Sequence, residues 1–246
     1  MILCLDAGNT RVKWGVHDGN VWLHQQITDY IDLASLSAVL PYQVQHFLAC
    51  NVAGMAVQQR IERIAQQLAV PLNFFQSTVA CCGVKNNYSQ PTQLGADRWA
   101  GLIAARALLI SSEPEAAIVV QSGTATTVDF LDAAGVFQGG LILPGLQLMH
   151  HSLTHHAAGL RDIAGALDGL DLSRPAKNTQ DAMASGALYA TLGAIERMRR
   201  IHCATQCVLS GGAAGYLAPH LSTPTLVVDY LVLEGLRAVA ESTGID

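Results

Sequence analysis

Charge is scarce in this chain. Asp, Glu, Lys and Arg make up only 13% of its 246 residues, against roughly 25% in an average soluble domain, so the polar surface is thin. A second copy is expected to cover part of it, which predicts a homodimer. The charge that is present sums to −5 and offers no basic stripe for a nucleic-acid backbone, so any anionic ligand must be held by local groups. Uninterrupted apolar runs of membrane length are also missing. The best, near Ala100 to Ile110, is broken by Arg106, and the first residues reach Asp6 without a basic leader. Neither a membrane span nor a signal peptide is therefore expected, and a cytoplasmic protein is expected. The six cysteines, at 4, 50, 81, 82, 203 and 207, include no Cys-x-x-Cys pair, so free thiols in a reducing compartment are expected.

Apolar residues, by contrast, make up 50% of the chain, enough for one large core or two modest ones. The stretch Ala117 to Asp132 organises the rest. An apolar run through Val120 meets Ser122-Gly123, and Thr126, Val128 and Phe130 then alternate with Thr127, Asp129 and Leu131; this is a β-hairpin pattern. Its small tip leaves backbone N–H groups and the Thr124 hydroxyl open to a close ligand such as phosphate. A plain turn would read the same. The chain repeats the pattern at its start, however, where Ile2 to Val16 places a small-residue turn, Ala7-Gly8-Asn9-Thr10, between an apolar run and an alternating one. Gly8 aligns with Gly123, Asp6 with Gln121, and Asn9 with Thr124. Two related halves follow.

The remaining elements read as a mixed α/β layout with helices covering sheets. A third strand is expected at 21–26, a buried strand at 45–51, a helix carrying Val57, Ile61, Ile64 and Leu68 on one face, and a strand after Pro71. Residues 81–98, rich in Asn, Ser, Pro and Gly, read as a loop that delivers the chain into a helix near Asp97. That acid could be a plain cap or first-turn residue. Arg98 is harder to place, because a cation in the first turn opposes the helix dipole, and it fits better if it answers an arriving anion. Ser111 to Glu115 is expected to divide the halves, giving lobes 1–115 and 116–246. In the second lobe a third strand is expected through Gly139 to Leu143, stopped at Pro144-Gly145. His150, His151, His155 and His156 then read as a surface helix without metal. Asn178 and Asp181 form a capping-box-like start to a long helix, and a strand enters Ser210-Gly211-Gly212.

These loops resemble the phosphate and adenosine loops of the actin, Hsp70 and sugar kinase superfamily. More closely, the chain is similar to type III pantothenate kinases over nearly its whole length, through LDAGNTRVKWG, GVKNNYSQPTQLGADRW, SGTATTVD, GGLILPGLQLM, NTQDAMASG, LSGGAAG and LVLEGL. The resemblance implies two duplicated lobes of the actin-like, ribonuclease-H-like ATPase fold. It also implies ATP-dependent phosphorylation of pantothenate, the first step of coenzyme A biosynthesis. Asp6, Ala7, Gly8, Asn9, Thr10, Arg11, Val12 and Lys13 are then expected at the ATP phosphates, with Asp6 helping to place Mg²⁺, and Gly123 and Thr124 at the nucleotide. Tyr88, Gly95, Ala96, Asp97, Arg98 and Thr179 are expected at pantothenate, where Asp97 takes the hydroxyl proton and Arg98 pairs the carboxylate.

One position departs from the family. Members usually carry Asp where this chain has Gln121, an acid expected to hold a monovalent cation, K⁺ or NH4⁺; an amide brings no charge, so that site is in doubt. Two rival readings on the same fold are a phosphate-releasing ATPase or polyphosphate hydrolase and a non-catalytic regulator. The Tyr88 to Arg98 segment argues against the first, and intact Asp6, Asp97, Arg98 and Thr124 against the second.

Overall fold

The computed structural model describes residues 1–109, 115–156, 167, 169–222 and 224–244. In chain order the elements are β1 (Ile2–Ala7), β2 (Val12–His17), β3 (Trp22–Thr28), α1 (Leu36–Val39), β4 (His46–Asn51), α2 (Met55–Leu68), β5 (Leu72–Phe74), β6 (Ala80–Cys81), β7 (Val84–Asn86) and α3 (Ala96–Leu108). There follow β8 (Ala117–Ser122), β9 (Ala125–Leu131), β10 (Val136–Pro144), α4 (Leu146–His156), α5 (Thr179–His202), β11 (Gln206–Ser210), α6 (Ala214–Leu217), β12 (Thr225–Val227) and α7 (Leu231–Thr243). No helix among the described residues is long and apolar enough to cross a membrane.

The chain divides into two compact units, Met1–Pro114 with Gly135–Gln138 and Tyr230–Asp246, and Glu115–Ala134 with Gly139–Asp229. The expected cut at 115/116 does not account for α7, which packs on α3 and β1 within the first unit. Four residues of the expected linker, 111–114, lie outside the described residues.

In the first unit the strand order is β3-β2-β1-β4-β5. The β1–β2 hairpin pairs Asp6 with Lys13 and Ala7 with Val12, and β4 lies parallel to β1 on its other side. Every residue of β1 is buried, as a near-continuous apolar strand in mid-sheet should be. Leu3, Leu5, Val12, Phe47, Ile61 and Ile64 meet in one core, each contributing about 1.5–3 kcal/mol of apolar burial.

The second unit repeats the plan. Its strands belong to a seven-stranded sheet, β12-β11-β8-β9-β10-β7-β6, in which the five from β12 to β10 follow the first order with each strand replaced by its counterpart, a hairpin flanked by a further strand and then two parallel ones. Ile118, Val120, Val128, Leu188, Leu192 and Ile195 build this second core under α5. Asn178 caps α5, accepting from the Asp181 N–H at 2.9 Å while donating to its carboxylate at 2.8 Å. The duplication read from aligned glycines is thus a duplication of topology.

Two local readings are corrected. The segment 81–98 is not all loop, because β6 and β7 form a short hairpin there and β7 pairs with Val136 and Phe137. The third strand of the second hairpin is also longer than expected, running Val136–Pro144. The histidine cluster begins on α4, and the side chains of His155 and His156 lie outside the description.

Candidate active site

The first unit brings most of the expected residues together. Asp6 is the penultimate residue of the buried strand β1, at the mouth of the first hairpin loop, and its Oδ1 is buried with no hydrogen-bond partner among the described residues. Leaving a buried acceptor unmade costs about 1–3 kcal/mol, so its survival points to something outside the chain that uses it. Burial, and then the charge of Asp97, push the Asp6 carboxyl up to about 7 against the opposing charge of Lys13. Asp6, Asp97 and Lys13 therefore share one electrostatic neighbourhood, which their separation in sequence does not reveal.

Beyond Asp6 the hairpin loop exposes Asn9, Thr10 and Arg11, with Gly8 and Lys13 half-buried and Ala7 and Val12 buried. The glycine N–H groups are not open, as the sequence suggested. Gly8 donates to the Arg11 carbonyl at 3.2 Å, and Gly123 of the second hairpin donates to the Ala125 carbonyl at 2.9 Å. Both amides are spent on closing their own turns. Tyr30, which sequence reasoning missed, donates its hydroxyl to the Gly8 carbonyl and so fastens the first loop to the chain after β3. Lys13 Nζ stands 5.8 Å from the centroid of the Tyr230 ring, within cation–π range.

The start of α3 carries the second part of the site. Gly95 is the cap residue, and Asp97 lies in the first turn, where its Oδ1 accepts the Arg98 N–H at 2.8 Å. As a first-turn acid Asp97 satisfies an otherwise unpaired helix donor, and it is also a half-buried carboxylate whose charge reaches Asp6. Burial raises its carboxyl above the ordinary range, opposed by the Arg98 N–H and the Arg98 charge. Gly95 makes room for this carboxylate, since a Cβ there would come within 2.6 Å of Asp97 Oδ1.

Arg98 is 5% exposed, and its guanidinium carbon lies 5.7 Å from the Tyr88 ring centroid and 5.8 Å from that of Phe137. The rings contact each other at 5.1 Å. Arg98 is thus a buried cation backed by two aromatic groups. Phe137 was missed because nothing local in sequence links it to Arg98. Asn86 was also missed: its amide donates to Ser77, Thr78 and Pro91, and its oxygen accepts the Tyr88 N–H, fixing the loop that carries Tyr88. It stands inside the quoted Asn86-Asn87-Tyr88 run, so the signal was there.

In the second unit, Gln121 is the penultimate residue of β8, paired with Thr127 on β9 and Ser210 on β11, the counterpart of Asp6 in the first hairpin. Gly123 and Thr124 are exposed at the tip. The tip is held by Gly145, whose N–H donates to the Thr124 carbonyl at 2.9 Å. A Cβ on Gly145 would stand 2.1 Å from the Gly123 carbonyl oxygen, so only glycine fits. Thr179 is exposed at the first position of α5. No group of three or more His, Cys, Asp or Glu that could hold a metal occurs among the described residues.

Two units with one strand order, each centred on a hairpin with a small-residue loop, define the class. The fold is that of the sugar kinases and their actin-like relatives. A ROK hexokinase from Thermus thermophilus aligns over 100% of this chain and 99% of its own at 13% identity, with a TM-score of 0.52. A Campylobacter jejuni protein described as a Baf family transcriptional activator aligns over 99% and 100% at 17% identity, with a TM-score of 0.68. Sequence narrows the class. The profile of the type III pantothenate kinase family matches residues 2–201. Type III pantothenate kinases of Dechloromonas aromatica and Nitrosospira multiformis are 42% and 40% identical, covering 98% and 99% of this chain and 99% and 92% of their own. The chain belongs to the type III pantothenate kinase family.

Proposed function

We propose that the chain transfers the γ-phosphoryl group of ATP to the hydroxyl of pantothenate, using Asp97 as base and Arg98 as the anchor of the substrate carboxylate. Family membership supports the activity, and one observation carries the assignment of roles. Asp97, raised by burial, lies directly before a desolvated Arg98 backed by Tyr88 and Phe137. A carboxyl raised above its ordinary range is better matched to accept a proton than an ordinary one. With the carboxylate of pantothenate on Arg98, its hydroxyl has a base one residue away along the helix start. Positioning of this kind supplies most of the catalysis in phosphoryl transfer.

Asp6 fits a divalent cation, as its unpartnered buried oxygen is a hard donor and Mg²⁺ is commonly held by one or two carboxylates together with substrate phosphates. Such a cation neutralises charge on the phosphates. Lys13 adds a second positive charge near Asp6, and Asn9, Thr10 and Arg11 offer exposed groups to phosphate oxygens. Gly123 and Thr124 are assigned to the nucleotide and Thr179 to pantothenate. Gln121 is assigned to the monovalent-cation position, where its amide brings a dipole in place of a charge. The working form is a cytosolic homodimer. Incubating the protein with ATP and Mg²⁺, with and without pantothenate, tests the reading: ADP must form in proportion to pantothenate. ADP formation with water alone would support a phosphate-releasing ATPase instead, and none at all a regulator.

A further inference from the structure

Cys81 and Cys82 are adjacent, half-buried, and hold their sulfurs 3.5 Å apart. The other cysteines contrast with them: Cys4, Cys50 and Cys207 are buried, and Cys203 is exposed, far from any second sulfur in sequence except Cys207. The pair sits at a tight turn. Cys81 on β6 pairs with Val84 on β7, which leaves Cys82 and Gly83 as a two-residue hairpin loop with φ of 48° and 76°. Positive φ at both central positions defines a type I′ turn, which favours Asn, Asp or Gly at the first of them. A cysteine there carries backbone strain, of order 1 kcal/mol, that an asparagine would relieve. Nor is the Cys82 side chain loose, since its sulfur lies 3.2 Å from Ser242 Oγ and 3.6 Å from the Ala238 carbonyl on α7.

We propose that Cys81 and Cys82 are a reversible modification site, forming a disulfide with each other at the expense of a low-molecular-weight disulfide. The Cys82 thiol gives its proton to solvent, and the thiolate attacks one sulfur of the reagent, expelling its other half as a thiolate. Cys81 then loses its proton and attacks the Cys82 sulfur of the mixed disulfide. The S–S bond between Cys81 and Cys82 forms, and the second half of the reagent leaves. Both expelled thiolates take up the released protons, so two protein thiols are oxidised and one external disulfide is reduced to two thiols. Burial and the neighbouring sulfur push the Cys81 thiol up to about 12, which assigns it the intramolecular step, where proximity offsets a small thiolate fraction.

Reversibility follows from geometry. Neighbouring Cα atoms stand about 3.8 Å apart across a trans peptide, closer than the roughly 4.4–6.8 Å of relaxed disulfides. A strained bridge of this kind is easily reduced, which is the behaviour of labile rather than structural disulfides.

The test is to incubate the native protein with glutathione disulfide, block remaining thiols with an alkylating agent under denaturing conditions, and weigh the proteolytic fragments. The fragment bearing Cys81 and Cys82 is expected to lack two hydrogens and take up no alkylating agent, and dithiothreitol is expected to restore both thiols. Cys81→Ser is expected to trap glutathione on Cys82. Glutathione on Cys203 shows in the same sample that the reagent was competent. With Cys203 modified, the proposal is overturned if both Cys81 and Cys82 are alkylated, if each carries its own glutathione, or if either is bridged to another chain.

Discussion

Replacing Gly95 with alanine leaves every chemical group of the site in place and moves one of them. The backbone at Gly95, φ −55° and ψ 137°, suits alanine, so the change brings no conformational penalty of its own. Its new Cβ would lie 2.6 Å from Asp97 Oδ1, where ordinary contact begins at 3.4 Å, a shortfall of about 0.8 Å. The carboxylate must turn, and turning breaks the 2.8 Å bond from the Arg98 N–H. Loss of that helix-end hydrogen bond costs about 1 kcal/mol of stability. The catalytic cost is larger, because a misplacement of about 1 Å at a reacting group costs up to ~10²-fold in rate. Gly95→Ala is therefore expected to lower kcat by roughly 10- to 10²-fold while leaving the KM for ATP nearly unchanged, with a small drop in the urea midpoint. Steady-state ADP release and urea unfolding on the same preparation measure both. Wild-type kcat in a variant whose midpoint has fallen would show that the carboxylate moved without consequence, and Asp97 would be a helix cap and no base.

In the cation-free protein, Asp6 lowers stability as pH rises. Its folded carboxyl is raised from 3.8 to about 7, so the folded state binds the extra proton between those values, and about 4 kcal/mol is lost from pH 4 to pH 8 at 1.36 kcal/mol per tenfold change. Asp6→Asn should match wild type in urea at pH 4 and exceed it increasingly toward pH 8; a pH-independent difference would refute the assignment. At Gln121, potassium dependence should be weaker than in the Gln121→Asp variant when K⁺ is replaced by a bulky organic cation at constant ionic strength, and equally steep losses in both would show that the amide suffices. The protein should sediment as a dimer at micromolar concentration, with α5 at the contact, where Gly186 and Gly193 border open space and Tyr189 is 54% exposed; a stable monomer would sink that idea.

What was legible in the sequence was what short-range pattern encodes. Alternation at 126–131 and 12–16 and the glycines at 8 and 123 defined two hairpins, and their alignment foretold the five-strand order that both sheets share, though not the two further strands, β7 and β6, that extend the second. The hairpin of β6 and β7 was hidden because its turn, Cys82-Gly83, sits in a segment whose Asn, Ser and Gly content favours loop. The partner that steadies β7, Val136–Phe137, lies about 50 residues away, where no local pattern reaches. The same limit hid the place of α7, because no local pattern says which core a helix will cover. At the site the division is sharper. Arg98 could be singled out from sequence alone because a cation in a first turn is a local conflict with the helix dipole. Its physical setting could not, because the rings of Tyr88 and Phe137 meet it only through the fold. The effect of Asp97 on Asp6 has the same origin: the two carboxylates are 91 positions apart in the chain, and the charge of Asp97 raises the cost of ionising Asp6 only once β1 and α3 are packed in one unit. A local anomaly can thus single out a candidate residue, but its setting, here a buried cation against two rings and an Asp6 carboxyl pushed up to about 7, is a property of contacts made by folding.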